Sequence, residues 1–248
     1  MGAKRTWTAK RKADRRGQIT AVPELLDALD IRGCIVTADA MGCQKEVAGK
    51  IRAKGGDYVL ALKGNQGKLH DLAKHFLDGM IALGEEGNNY YEGEVERAHG
   101  RVEVRRCWAC GDLGDWLPEL PDTYGEWDGL QSIAAVECER TIKGVTTVFR
   151  RYFITSLQPD AAEIAAAVRA HWGIENSLHW VLDVVWREDE GRARAGAAAE
   201  NLSTLRRLAQ NLIKAEDPES KKSVRLRTLR ANWDPEYLLK LIGVELDA

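Results

Sequence analysis

Apolar residues recur along the first third of the chain in patterns that predict helices and buried strands. Residues 19–30 and 44–54 carry apolar side chains at helical spacing. Compact apolar runs at 34–38 and 58–62 lie on either side of the second helix and are typical of strands buried on both faces. A strand, a helix and a strand in this order predict a parallel pair in an α/β sheet. A further helix is predicted at 69–83.

The pattern changes in the middle of the chain, where many residues are β-branched or aromatic and apolar positions alternate with polar ones. This β-rich segment covers 90–157, and Lys143-Gly144 between two of its runs predicts a hairpin turn. Helical periodicity returns at 160–186 and at 199–214. The predicted fold class is therefore α/β, with a β-rich insertion that is followed by helices.

Basic residues concentrate near both ends, although the chain of 248 residues has a formal net charge of −2. The first 18 residues contain seven Lys or Arg residues and one acid, Asp14. Such a run binds a phosphate backbone or stays solvated, and we expect a disordered arm. The predicted segments are a basic arm at 1–18, the first part of the core at 19–89, the β-rich insertion at 90–157, core helices at 158–215, and a basic connector with a terminal helix at 216–248.

Composition narrows the class of protein further. No apolar run approaches the roughly 18 residues that a membrane helix needs, and the start lacks the apolar segment of a secretory signal. Five cysteines form an odd, scattered set, and the Cys107–Cys110 motif has no second pair at zinc spacing. We expect a cytoplasmic protein without a membrane partner, in which Cys107 and Cys110 are half-buried thiols.

Two polar segments follow the predicted parallel strands, at the edge of the sheet where α/β proteins bind ligands. Asp39 comes directly after the first strand, and it is either a functional acid at a crevice or a turn former. Lys63-Gly64-Asn65-Gln66 follows the second strand and opens a helix. These residue types suit phosphate contacts at a helix N-terminus, although turn formation explains the Gly-Asn pair equally well.

A third candidate group lies within the predicted helix at 160–186. Spacing by four places His171, Glu175 and His179 on one helix face, where they could bind zinc. The first and last of them are separated by about 12 Å of helix rise, so we do not expect one ion to reach all three. The alternative is that neighbouring apolar residues pack in a core while these polar side chains form hydrogen bonds.

Several short motifs occur in order along residues 19–241. They are Thr37-Ala38-Asp39-Ala40-Met41-Gly42-Cys43-Gln44, Leu62-Lys63-Gly64-Asn65-Gln66, His99-Gly100-Arg101, His171-Trp172-Gly173-Ile174-Glu175-Asn176 and Arg187-Glu188-Asp189, followed by Asn201 and Leu205-Arg206-Arg207. Together they resemble the DDE transposases of bacterial insertion sequences, specifically the H-repeat-associated subgroup.

The resemblance implies an RNase H-like core with a β-rich insertion before its last catalytic helix. It also implies two-metal phosphoryl transfer on DNA, in which acidic side chains hold two Mg²⁺ or Mn²⁺ ions about 4 Å apart. By motif position, Asp39 corresponds to the second and Glu175 to the third catalytic, metal-binding acid. The implied partners are insertion-sequence ends, target DNA and further copies of the chain in a homo-oligomer on DNA.

Basic and amide side chains in or near these motifs are the expected DNA contacts. They are Lys63, Asn65, Gln66, Arg101, His171, Arg192 and Arg194. Related transposases often carry a Y-x2-R-x3-E-x6-K pattern around the third acid, whereas Val168, His171 and Leu182 occupy the Tyr, Arg and Lys positions here. The pattern alone therefore does not assign DNA-contact roles to these three positions.

The resemblance also implies a first catalytic Asp on a strand before residue 19, where Asp14 is the sole acid. We therefore expect a core that is incomplete at its N-terminal strands and a chain that is inactive alone. Three functions stay open: an active transposase in which Glu188 or Asp189 replaces that acid, a non-catalytic remnant that binds DNA or a full-length transposase, and a zinc hydrolase that uses His171, Glu175 and His179.

Overall fold

A computed structural model describes residues 6–8, 15–84, 89–98, 100–111, 113, 127–174, 178–193 and 195–243. The chain divides into two compact units, Met1–Trp172 and Gly173–Ala248. In the described ranges, no helix has both the length and the apolar character to cross a membrane.

One sheet of eight strands forms the centre of the first unit, as far as its residues are described. The strands are β1 (Thr6–Thr8), β2 (Ile35–Ala38), β3 (Asp57–Leu62), β4 (Tyr90–Glu92), β5 (Glu96–Ala98), β6 (Arg101–Cys110), β7 (Ser132–Ile142) and β8 (Val145–Thr155). Their order is β1-β2-β3-β8-β7-β6-β4, and β5 also pairs with β6. The first three strands are parallel, and the others pair in antiparallel fashion.

The parallel half of the sheet confirms the predicted strand–helix–strand unit. Its helices are α1 (Arg15–Ala28), α2 (Lys45–Ala53) and α3 (Gly67–Ala82). β2 and β3 pair with Ile35 opposite Asp57, so α2 is the crossover between two neighbouring parallel strands. Because both strands run in the same direction, the segments that begin at Asp39 and Lys63 leave the sheet at the same edge.

Helices cover both faces of this sheet. α1, α2 and α3 pack on one face around fully buried residues that include Tyr58, Leu60 and Ile154. The fourth helix, α4 (Ala161–Ile174), packs on the opposite face around residues such as Val59. Side chains that alternate along each strand therefore enter two separate cores, which is the layering of an α/β protein.

The predicted β-rich insertion consists of strands that extend the same sheet. β8 pairs with β3 in antiparallel fashion from Tyr152 to Thr155, and it pairs with β7 along its whole length. Between β7 and β8, Lys143 and Gly144 adopt positive φ angles of 50° and 80°. This backbone conformation confirms the predicted hairpin turn, since tight hairpins need left-handed residues at these positions.

The first 18 residues differ from the predicted disordered arm where the structure describes them. Thr6–Thr8 form β1 and pair in parallel with β2, and α1 begins at Arg15 rather than at residue 19. Strand pairing uses backbone N–H and C=O groups, so a basic sequence does not prevent it. Arg and Gln also have good helix propensity, which explains the earlier start of α1. Residues 1–5 and 9–14 lie outside the described residues.

The second unit is helical within its described residues. It contains a π-helical turn at Val181–Val185 and the helices α5 (Ala198–Glu216), α6 (Val224–Trp233) and α7 (Pro235–Leu241). Ile213, Tyr237 and Leu241 are buried in its small core. α6 lies within the segment predicted as a basic connector, and it begins where Ser223 Oγ accepts a hydrogen bond from Leu226 N at 3.3 Å.

A buried carboxylate connects the long antiparallel strands. The Glu103 side chain is 2% exposed and contacts Arg101 at 3.2 Å and Arg140 at 2.6 Å, and it also pairs with Arg105. Burial by itself would raise the pKa of Glu103, but the three guanidinium groups outweigh burial and lower the pKa below its usual value. The fold therefore stabilises the charged form of Glu103.

We predict that Glu103→Gln lowers the free energy of unfolding by about 2 kcal/mol at neutral pH, because three arginines lose their shared acid. The folded pKa is below the reference value of 4.5. The contribution of Glu103 is therefore complete above that value, and it is lost as the pH falls through the folded pKa. Urea unfolding over a series of pH values measures this contribution.

Glu139→Gln is the matched control on the neighbouring strand. Glu139 pairs with Arg106 at 2.8 Å, but its side chain is 35% exposed. Its substitution is expected to change the free energy of unfolding by less than about 1 kcal/mol. Equal effects of the two substitutions, or a difference between wild type and Glu103→Gln that does not depend on pH, would contradict the prediction.

Candidate active site

Asp39 lies directly after β2 and caps a short 3₁₀ turn at Ala40–Gly42. Its Oδ1 accepts hydrogen bonds from the backbone N–H groups of Met41 at 3.2 Å and Gly42 at 3.4 Å. Across the described ranges, Oδ2 has no hydrogen-bond partner. The turn therefore orients the carboxylate through one oxygen and leaves the other available, and carboxylate oxygen is the ligand type that Mg²⁺ prefers.

The Asp39 turn requires glycine at its end. A Cβ atom on Gly42 would lie 2.7 Å from the Cβ atom of Ala38, which is too close for two non-bonded carbon atoms. Gly42 is buried, and the side chain of Ala38 at the end of β2 occupies the space beside it. The sequence Asp-Ala-Met-Gly thus specifies both the capping acid and the close return of the chain.

The loop after β3 holds the Asp39 turn in place. Asn65 Nδ2 donates a hydrogen bond to the carbonyl oxygen of Ala40 at 2.5 Å, and Gln66 Nε2 donates to that of Cys43 at 3.0 Å. These two amides were expected to contact phosphate, but the structure directs them to backbone carbonyls beside Asp39. Lys63, from the same segment, is exposed. DNA contacts by Asn65 and Gln66 stay a prediction.

His171 connects α4 to the strand that carries Asp39. Its side chain is 7% exposed, and Nδ1 lies 3.1 Å from the hydroxyl oxygen of Thr37. Thr37 is on β2, two residues before Asp39, and its backbone is part of the central sheet. His171 therefore lies inside the fold, close to β2, the strand that precedes Asp39. This position does not test the predicted contact of His171 with DNA.

Glu175 lies outside the described residues, as does Arg194. The roles of Asp39 and Glu175 as paired catalytic acids therefore stay predictions. In the described ranges, no group of three or more His, Cys, Asp or Glu side chains is arranged to hold a metal ion. Glu188, one suggested replacement acid, pairs with Arg207 at 3.3 Å.

The cysteine and arginine residues that the sequence analysis singled out differ in how far they are buried. Cys107 is fully buried rather than half-buried, and burial raises the pKa of its thiol to about 12, whereas Cys110 is half-buried. A protonated, buried thiol such as that of Cys107 is unsuited to redox or metal chemistry.

Arg101 pairs with the buried Glu103, and Arg192 is exposed in the second unit.

The basic connector contains both exposed and neutralised cations. Lys221, Lys222 and Arg225 are exposed. Arg227 is buried and donates a hydrogen bond to Glu216 at 2.7 Å, within a small network at the centre of the second unit. Arg227 is therefore a structural residue, although it lies in the segment predicted as a basic connector.

An open cleft of about 360 Å³ lies beside the start of the Asn65 loop. Its lining residues are Leu62, Lys63, His70, Lys74, Arg150, Arg151 and Tyr152. Lys63 and Lys74 are exposed, whereas Arg150 is held by Glu137 at 2.6 Å and also pairs with Asp78. The cleft is basic and lies next to the segment that follows β3.

The sequence pattern of the Transposase DDE domain family matches residues 8–212, which is more than half of the chain. The chain belongs to this family. The mixed α/β architecture with a mostly open sheet is consistent with a DDE transposase domain. Asp39 and the loop that holds it lie within the matched region.

Relatives place this chain in the H-repeat subgroup of the DDE transposase family. It is 40% identical over 236 residues to YhhI of Escherichia coli (strain K12), named as a candidate H repeat-associated transposase. It is 41% identical over 203 residues to YncI of Escherichia coli O157:H7, named as a candidate transposase. These matches cover 93% and 81% of this chain but 60% and 50% of the relatives, so the chain spans only part of their length.

The sequence predicted the candidate acid, Asp39, but not the contacts that hold its surroundings in place. Thr37 and His171 are 134 residues apart, and no local pattern indicates that they meet. The sequence placed Asn65 and Gln66 at the correct edge of the sheet, but their donors were assigned to phosphate. One signal in the sequence could have indicated these hydrogen bonds. The two amide side chains follow one parallel strand, and the Asp39 turn follows the neighbouring strand.

We predict that Asn65→Ala and Gln66→Ala each lower the free energy of unfolding by about 1 kcal/mol, since each removes a hydrogen bond to the Asp39 turn. Chemical denaturation of the purified chain measures the change. Lys63→Ala is the control, because the Lys63 side chain is exposed in the same segment. If Lys63→Ala destabilises the chain as much as Asn65→Ala does, the assigned hydrogen bonds do not hold the turn.

Proposed function

We propose that this chain acts in DNA transposition, as part of a site that cuts and joins DNA strands at insertion-sequence ends by phosphoryl transfer. The observation that carries the proposal is the oriented carboxylate of Asp39 at the carboxyl end of a central parallel strand. Ligand sites of open α/β sheets lie at this edge. Membership in the DDE transposase family supplies the reaction class.

The proposed metal-binding residues are Asp39 and Glu175, in an RNase H-like arrangement of the core. The available Oδ2 of Asp39 fits a hard divalent cation such as Mg²⁺ or Mn²⁺. A pair of such ions, when bound, activates the attacking oxygen and stabilises the leaving oxygen. The backbone N–H groups of Met41 and Gly42 hold the Asp39 carboxylate in one orientation for this purpose.

The proposed partners are insertion-sequence ends, target DNA and further copies of the chain on DNA, in the cytoplasm. Lys63 and Arg192 are exposed cations that suit contacts with phosphate. Four further residues are proposed to contact DNA, although each also contacts other residues of the chain: Arg101, Asn65, Gln66 and His171.

We also infer that the chain does not cleave DNA by itself. The family motifs assign two acids of this chain to the site, Asp39 and Glu175. A two-metal reaction needs several acidic ligands, and two acids hold the ions weakly. The second candidate function is therefore a non-catalytic component that binds DNA or a longer transposase.

We predict that Asp39→Asn lowers the affinity of the purified chain for Mn²⁺ about tenfold or more, because it removes one of the two proposed ligands. Glu175→Gln is expected to have a similar effect. Titration calorimetry measures the affinity. Asp30→Asn is the control, since Asp30 is an exposed acid before β2, at the opposite end of that strand.

Nicking of supercoiled plasmid in the presence of Mn²⁺ separates the two functions. We expect no nicking by the chain alone. Nicking by wild type and Asp30→Asn but not by Asp39→Asn would overturn the inference that the chain is inactive and would establish the site. Mn²⁺ affinity that Asp39→Asn and Glu175→Gln both leave unchanged would overturn the assignment of the metal-binding residues.

A further inference from the structure

One face of the long antiparallel strands is rich in arginine. In the register of the sheet, Glu103 of β6 lies opposite Arg140 of β7, which lies opposite Thr147 of β8. Because side chains alternate between the faces, Arg101, Arg105, Arg140 and Arg151 all lie on this one face. It is the face on which α4 packs, and α4 adds Arg169.

Among the described residues, two acids contact these five arginines. Glu103 is shared by three of the guanidinium groups. Glu96 contacts Arg105 at 2.8 Å and Arg169 at 2.9 Å. The cluster therefore has a formal excess of three positive charges, and its more buried acid, Glu103, is covered by the arginines rather than presented to solvent.

Arg151 has no acidic partner among the described residues. Its guanidinium carbon lies 4.2 Å from the ring centre of Trp172 and 6.0 Å from that of Phe149. Burial lowers the pKa of Arg151, Cys138 acts in the opposite direction, and Arg140 adds a smaller lowering. The aromatic rings hold the guanidinium in place without neutralising it.

Arg140 has a similar environment on the neighbouring strand. Its guanidinium carbon lies 5.7 Å from the ring centre of Phe149, and its side chain is 35% exposed. Phe149 and Trp172 are themselves exposed, so the surface consists of arginines and aromatic rings side by side. Such a surface fits a polyanion better than an apolar partner.

We propose that this surface, formed by Arg101, Arg105, Arg140, Arg151 and Arg169 and named the arginine face, binds the phosphodiester backbone of DNA. The proposal rests on the proposed function, which supplies DNA as the substrate. Guanidinium groups bind phosphate in bidentate fashion, and neighbouring strands of a sheet lie about 5 Å apart, so one backbone can contact several of these arginines. A free phosphate ion would contact only one or two of them.

The arginine face is continuous with the candidate active site along α4. Arg169 and Trp172 lie on the last turns of this helix, next to His171, which contacts Thr37 just before Asp39. DNA bound on the arginine face would therefore extend towards the carboxyl end of β2. The sequence motifs indicated only Arg101 among the five arginines, because the others come together through the register of the sheet.

The test compares DNA binding by wild type, Arg151→Gln, Arg169→Gln and the double variant. Arg151 has no acid to leave unpaired, and the pair between Arg169 and Glu96 is exposed on both sides, so these changes leave the Glu103 cluster intact. Arg32→Gln is the matched control, since Arg32 is an exposed arginine before β2, at the far end of the sheet. Binding to a short labelled duplex is measured by fluorescence anisotropy at several NaCl concentrations.

We expect the double variant to bind about tenfold or more weakly, and the slope of log affinity against log salt concentration to decrease in magnitude by about two. Arg32→Gln should bind as wild type does. If the double variant binds as tightly as wild type, the arginine face is wrong while the proposed function stands.

Weaker binding with an unchanged salt slope would also overturn the proposal, because no contact with phosphate would have been lost. If wild type does not bind the duplex, the arginine face and the DNA-binding part of the proposed function both fail. The affinity for Mn²⁺ then tests the Asp39 site separately, since that measurement needs no DNA.

Discussion

The parallel pairing of β2 with β3 is the constraint on which the candidate site depends. It brings the ends of two strands to one edge of the sheet, so that the Asp39 turn and the Asn65 loop become neighbours. The amide donors of this loop then reach the carbonyls of the turn. On the same strand, Thr37 receives the contact from His171 of α4. The orientation of one carboxylate thus follows from backbone pairing between short, buried strands.

The central part of this arrangement could be predicted from the sequence because its signals are local. The apolar runs before Asp39 and Lys63, with a helical pattern between them, specify a parallel pair. β1 could not be predicted, since three residues among basic neighbours carry no apolar pattern and pair through their backbone. α6 was predicted as part of a basic connector for a different reason. A run of basic residues is typical of an exposed segment, whereas Glu216 neutralises Arg227 inside the second unit.

The antiparallel strands show how charge can be organised without a local motif. Glu103, Arg140 and Arg151 are distant in sequence, and only the register of β6, β7 and β8 places them on one face. The ion pairs around Glu103 connect β6 with β7, while the excess of arginine over acid makes this face positively charged. A stabilising cluster and a surface suited to phosphate are therefore built from the same side chains.

The way in which β8 spans the sheet has a consequence for how this architecture can vary. Only Tyr152–Thr155 pair with β3, whereas the rest of β8 pairs with β7 alone. Residue pairs can therefore be inserted or deleted near the Lys143-Gly144 turn without moving the hydrogen-bonded register at β3. The hairpin is an adjustable extension: its length can diverge between homologues while the edge that carries Asp39 keeps its geometry.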